Sequence, residues 1–209
     1  YREISLITIR GINIALVIGF IIIFLKNPIL NIISHYFDAS VETHELIARY
    51  ISIRILSAPV ELSIYVLIGL YIGLQKTKIS SLLVAFFSLL NIILSVYFVN
   101  SLQLNIYGVA MGTFFSAYIS FFVFIIFTYH FIKREFNVIP RYRQIFVKRK
   151  LIRLFNINFN IFIRTILLTF AFLWFTYQSS QINEDILAVN TILLQFIILA
   201  AFFLDAYAF

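Results

Sequence analysis

Among the polar side chains inside the long apolar stretches of this chain, nine are candidates for function: Arg54, Glu61, Asn91, Ser95, Thr113, Arg164, Asn190, Gln195 and Asp205. Each costs a few kcal/mol at the centre of a bilayer unless it faces protein or water, so their presence asks for a reason. A carboxyl such as Glu61 can take up and release a proton. Together with amide and hydroxyl oxygens it can also hold a small cation, while an arginine can hold an anion. This set suits binding and release rather than the making of bonds.

The elements that must position these groups are transmembrane helices. Of the 209 residues 62% are hydrophobic and only 12% charged, too little polar surface to coat a soluble globule. A bilayer core needs about 20 consecutive apolar helical residues. Six windows meet that length: Ile4 to Leu25, Leu46 to Leu74, Ile79 to Val99, Ile106 to Ile132, Phe155 to Tyr177 and Ile186 to Phe209. Runs such as Ile21-Ile22-Ile23-Phe24-Leu25 do not alternate, which excludes a transmembrane barrel. The fold class read from the sequence is therefore an all-α, polytopic transmembrane helical bundle.

Lys and Arg set the orientation. Arg2, Arg10, Lys76, Lys78 and the cluster Lys133, Arg134, Arg141, Arg143, Lys148, Arg149, Lys150 and Arg153 fall on one side of the spans. Lys26 and Arg49 share the other side with Asp38, Glu42, Glu45, Glu184 and Asp185. The positive-inside rule makes the basic side cytoplasmic, and it accounts for the net charge of +7 without nucleic acid. The expected location is a cytoplasmic membrane, with residues 133–154 on its inner face. In that segment Phe136, Ile139, Ile145, Phe146, Leu151 and Leu154 alternate with basic residues. Two readings stand, a helix lying among anionic headgroups or a solvated charged loop.

Within the second span Arg54 and Glu61 are seven residues apart, on about the same face and roughly 10 Å apart along the axis. Side chains lean toward the helix N-terminus, so Arg54 leans away from Glu61, and the expectation is no direct pair. Pro59 between them predicts a kink beside the carboxylate. Asn91 precedes the Asn100 to Asn105 loop by nine residues and Thr113 follows it by eight. Both then lie about 12 to 14 Å below the outer surface, with Ser95 one turn from Asn91 on the same face. If the second span enters the bilayer near Arg54, Glu61 shares that layer. Gly69 with Gly73, and Gly108 with Gly112, predict close helix contacts.

Enzyme chemistry finds no support. There is no cysteine, and His35, His44 and His130 lack a second ligand at metal spacing apart from the His44-Glu45 pair. Phosphate-binding glycine loops, nucleophile elbows and zinc-protease patterns are missing, so no catalytic residue, metal site or organic cofactor is expected.

Several stretches resemble one family. Tyr50-Ile51-Ser52-Ile53-Arg54-Ile55-Leu56-Ser57-Ala58-Pro59, with Gly69-Leu70-Tyr71-Ile72-Gly73-Leu74-Gln75-Lys76-Thr77, is similar to the fourth helix of the DinF-like branch of the MATE (multidrug and toxic compound extrusion) exporters. The matches continue in order through Leu90-Asn91-Ile92-Ile93-Leu94, Gly108-Val109-Ala110-Met111-Gly112-Thr113, Ile161-Phe162-Ile163-Arg164-Thr165, Leu187-Ala188-Val189-Asn190 and Leu204-Asp205-Ala206-Tyr207-Ala208. The resemblance implies a transporter of twelve helices in two lobes, exporting organic compounds in exchange for H+ or Na+. On that register the chain is an excerpt covering helices three to eight. Residues 1–132 would be the last four helices of the N-lobe, 133–154 the cytoplasmic linker, and 155–209 the first two helices of the C-lobe. The expected partners are a small organic substrate, a coupling cation and the lipid bilayer, with the protein a monomer.

In that branch the N-lobe cation site combines an Asp on the first helix, an Asn and an Asp four residues apart on the fifth, and a Thr on the sixth. Asn91 and Thr113 match, but Ser95 stands where the second Asp is expected. A serine can ligate Na+ but cannot titrate, and Glu61 is the candidate to supply the missing carboxylate. Arg54, Arg164, Asn190, Gln195 and Asp205 are secondary candidates. The alternative within the wider superfamily is a lipid-linked oligosaccharide flippase, which needs several cationic side chains facing a cavity.

Overall fold

Two prolines decide where the helices break. Proline has no N–H, and its ring crowds the carbonyl four residues back, so a helix running into one loses its bond at that carbonyl. For Pro28 that residue is Phe24, and the first helix, α1, spans Arg2–Phe24 and hands over to α2 at Lys26–Tyr36. For Pro59 it is Ile55. Helix α3 (Val41–Arg54) gives way there to a 3₁₀ turn at Ile55–Ser57, and the Ala58 N–H donates to the Ile55 carbonyl in place of the proline. Helix α4 (Ala58–Gly73) then continues the span. Where a kink beside Pro59 was expected, the structure has this 3₁₀ turn in the residues before the proline. Helix α2 is an addition to the sequence reading, which left that stretch as a separator.

The computed structural model describes residues 2–36, 41–136 and 148–208. After α4 come α5 (Thr77–Val96), which closes in a π-helical turn at Tyr97–Ser101, then α6 (Asn105–Phe136), α7 (Lys148–Ile182) and α8 (Glu184–Ala208). Among the described residues six helical stretches are long and apolar enough to cross a membrane: Glu3–Phe24, His44–Gly73, Thr77–Ser101, Asn105–Glu135, Phe159–Ser179 and Ile186–Leu204. They coincide with the six apolar windows to within a few residues at most ends, and the second of them runs through the break at Ile55. With 32 and 35 residues, α6 and α7 exceed a hydrocarbon core of about 30 Å at 1.5 Å per residue.

The chain divides into two units, Tyr1–Phe146 and Val147–Phe209. Half of the 133–154 segment, residues 137–147, lies outside the described residues, so neither reading of it is decided; Lys148 onward is already α7.

In the first unit α1 and α4 run antiparallel at backbone contact. A Cβ added at Gly19 would overlap the Pro59 backbone, and one at Gly11 would stand 2.8 Å from Val66 Cγ1. Ala15, buried between these glycines, completes a ladder of small residues at four-residue spacing. Helices α5 and α6 are equally close: a Cβ at Gly108 would lie 2.9 Å from the Phe98 carbonyl carbon, and one at Gly112 would lie 2.7 Å from Ser95 Cα. Between these pairs Ile64, Leu67, Tyr71, Leu83 and Phe124 form the buried centre. Gly69 and Gly73 correct the sequence reading, since a side chain at either would meet nothing within 4 Å. Their spacing is right for a contact, but within the first unit no described residue comes that close to either. In the second unit α7 and α8 form an antiparallel pair.

Gly19→Ala should therefore destabilise a full-length protein containing this chain by about 1–3 kcal/mol, because backbone must move to admit the methyl. Gly69→Ala should be neutral or stabilising by up to about 1 kcal/mol, since a mid-helix glycine costs that much relative to alanine. Thermal unfolding in detergent separates the two outcomes.

Candidate functional site

The broken second span carries the charges. Arg54 is the last residue of α3 and Glu61 lies in the first turn of α4, with the 3₁₀ turn between them. Contrary to the expectation from side-chain lean, the two pair directly: Arg54 Nη1 donates to Glu61 Oε1. The same nitrogen lies 2.6 Å from Ser57 Oγ, which in turn donates to the Arg54 carbonyl at 2.7 Å. The magnitudes explain the reversal. An unfavourable rotamer costs about 0.5–1.5 kcal/mol, whereas a charge taken out of water without a partner costs several. Glu61 is only 12% exposed and Arg54 36%, so pairing prevails over rotamer preference.

On the other side of α6, Ser95 Oγ donates to Asn91 Oδ1 at 3.4 Å, a long bond between residues one turn apart. Ser95 rests against Gly112, the residue before Thr113. Thr113 is buried and donates to the Val109 carbonyl of its own helix at 3.1 Å. Further along α6, the Tyr118 hydroxyl donates to the Leu56 carbonyl in the 3₁₀ turn at 3.1 Å. The Arg54–Glu61 pair and the Asn91–Ser95 pair therefore both flank the stretch of α6 from Gly112 to Tyr118, about 9 Å long at 1.5 Å per residue. Among the described residues no hydrogen bond joins one pair to the other. Glu61 is held by Arg54, not by Asn91, Ser95 or Thr113.

The second-unit candidates differ. Asn190 donates to Ser179 Oγ at 2.7 Å, and Ser179 donates to the Phe175 carbonyl at 2.8 Å, which ties α8 to α7. Arg164 and Gln195 are exposed on their helices. The Asp205 side chain lies outside the described residues.

Two groups escaped the sequence reading. Arg10, counted among the flanking charges, is only 1% exposed, with Glu3 Oε2 at 3.9 Å. Periodicity within so apolar a helix does not reveal which face is covered. Tyr71 and Thr128 share a buried 2.9 Å hydrogen bond between α4 and α6, and Lys76 and Glu135 close the same seam at 3.1 Å. The signal available for them was a hydroxyl at a matching depth on each of two spans.

Residues 1–97 match the family model described as MatE. Over 201 residues, 96% of the chain, the sequence is 28% identical to the DNA damage-inducible protein F of Escherichia coli (strain K12), of which it covers 44%. The chain thus spans under half the length of that curated relative. No solved structure matches it.

The pairing of Arg54 with Glu61 yields a double-mutant cycle. Arg54→Gln alone should destabilise by about 3–5 kcal/mol by stranding the carboxylate. Adding Glu61→Gln should recover part of that loss, with a coupling of about 0.5–3 kcal/mol. Unfolding midpoints of the two single variants and the double variant of a full-length protein give the value; strictly additive effects would mean the pair does not form.

Proposed function

We propose that this chain, whose residues 1–97 match the MatE family model, belongs to that family of multi-pass membrane proteins and forms part of a secondary antiporter. That antiporter exports small organic compounds across a cytoplasmic membrane in exchange for H+ or Na+. The observation that carries the proposal is the Arg54–Glu61 pair at a proline break inside a membrane span.

Coupling requires an ion to stabilise one conformation more than another. A proton on Glu61 removes the charge that holds Arg54, and a cation seated at the carboxylate competes with the guanidinium for the same oxygens. The intact pair and the loaded site are thus alternative states. Because the pair straddles the break at Ile55–Ser57, exchanging one state for the other bears on the angle between α3 and α4, and the Tyr118–Leu56 bond carries that change to α6. Asn91, Ser95 and Thr113 supply oxygens along the same stretch of α6, without a second titrating group. In this reading Glu61 is the proton or cation acceptor, Arg54 its competitor, and Asn91, Ser95 and Thr113 the neutral ligands. Residues 133–154 face the cytoplasm, on the basic side of the spans.

A flippase of the same superfamily would need several cations presented to an anionic headgroup. In the first unit Arg10 is buried beside Glu3 and Arg54 is engaged by Glu61, which favours the antiporter.

The test is substrate efflux from proteoliposomes carrying a full-length protein containing this chain, under an imposed proton or sodium gradient. Gradient-driven efflux should be lost in Glu61→Gln. Efflux in Glu61→Gln equal to the parent would rule out Glu61 as the coupling group, and indifference to both gradients would favour the flippase.

A further inference from the structure

A cavity of about 280 Å³ opens between α1, α4 and α6 at the basic ends of these spans. Its walls are apolar, with Ile9, Leu67 and Ile125 among them, but hydroxyls and one cation also line it. Two of the hydroxyls are engaged: Thr8 donates to the Ile4 carbonyl at 3.0 Å, and Thr128 bonds the Tyr71 hydroxyl. The Ser5 hydroxyl is 1% exposed and has no hydrogen-bond partner among the described residues. Leaving such a group unsatisfied costs about 1–3 kcal/mol, so the site is short of an acceptor. Lys133, exposed at the end of the apolar part of α6, lines the same cavity and is followed by Arg134.

An occupant must therefore combine a slender apolar body with an anionic, oxygen-rich head. The volume falls just below the range of about 300–1,000 Å³ that encloses drug-sized molecules, which fits one alkyl chain better than a polycyclic drug. Basic pockets between spans on the positive side of a membrane meet anionic headgroups at that depth. We propose that this cavity binds one anionic phospholipid of the leaflet on the basic side. One acyl chain lies against Ile9, Leu67 and Ile125, the phosphate faces Lys133, and the Ser5 hydroxyl donates to an ester carbonyl oxygen. The inference rests on the membrane setting of the helices and is independent of the antiport reading.

Native mass spectrometry of a full-length protein containing this chain, released from detergent with phosphatidylglycerol, phosphatidylcholine or a free fatty acid, tests the site. One phosphatidylglycerol should be retained in preference to the other two. Its affinity should fall roughly tenfold in Lys133→Gln and severalfold in Ser5→Ala, as loss of a charge-assisted and a neutral hydrogen bond predicts. Ile132→Trp should block retention by filling the cavity, with the unfolding midpoint in lipid-free detergent unchanged for Lys133→Gln. Equal retention of phosphatidylglycerol and phosphatidylcholine, retention of the fatty acid alone, or phosphatidylglycerol binding indifferent to all three substitutions would each overturn the proposal.

Discussion

A helix inside a bilayer must satisfy its own backbone, because no water is there to do it. Pro59 breaks that rule in the middle of the second span, and the arrangement around it follows from the breach. The Ile55 carbonyl loses its α-helical partner and accepts from Ala58 in a tighter turn. Tyr118 reaches from α6 to the Leu56 carbonyl. Ser57 turns its hydroxyl to the Arg54 carbonyl while standing beside the guanidinium. A break of this kind persists only where neighbouring polar groups take up the freed carbonyls, and it is where a charge can be kept inside a membrane span. The same break brings α4 against α1, where Gly19 leaves room for the Pro59 backbone.

The sequence announces the spans because length and apolar content are one-dimensional properties, and the six windows match the six apolar helices closely. A break at Pro59 was also legible, since a proline leaves the carbonyl four residues upstream without its bond; the same rule at Pro28, where α1 gives way to α2, was not applied. What could not be read were facts that depend on a neighbour. Glycines four apart mark contact only where another helix is present, so Gly69 and Gly73 misled while Gly11, Ala15 and Gly19, with the same spacing, went unnoticed. Arg10 looked like a flanking charge because hydropathy does not say which face of a helix is covered. The lean of side chains argued against an Arg54–Glu61 contact, and the argument failed because it weighed a rotamer preference without the larger cost of an unpaired charge.

A division of labour between the polar groups follows from their chemistry. Asn91, Ser95 and Thr113 are neutral and form local bonds within their own helices, so they can orient a cation without changing charge. Glu61 is the carboxyl of the set, and Arg54 already engages one of its oxygens. In the proposed reading, its pairing sets the charge at the 3₁₀ turn between α3 and α4, and α6, bonded to that turn through Tyr118, stands between it and the oxygens on α5. Asn190 and Ser179 tie α7 to α8 by a side-chain bond that uses no charge.

The central claim is that Arg54 and the transported ion compete for Glu61. Infrared difference spectroscopy of the full-length protein in membranes reads this directly, by comparing ion-loaded with substrate-loaded states in the parent and in Glu61→Gln. The account predicts a carboxyl signal that changes between the two states in the parent and is missing from Glu61→Gln. A parent spectrum with no Glu61-dependent difference between the loaded states would contradict it.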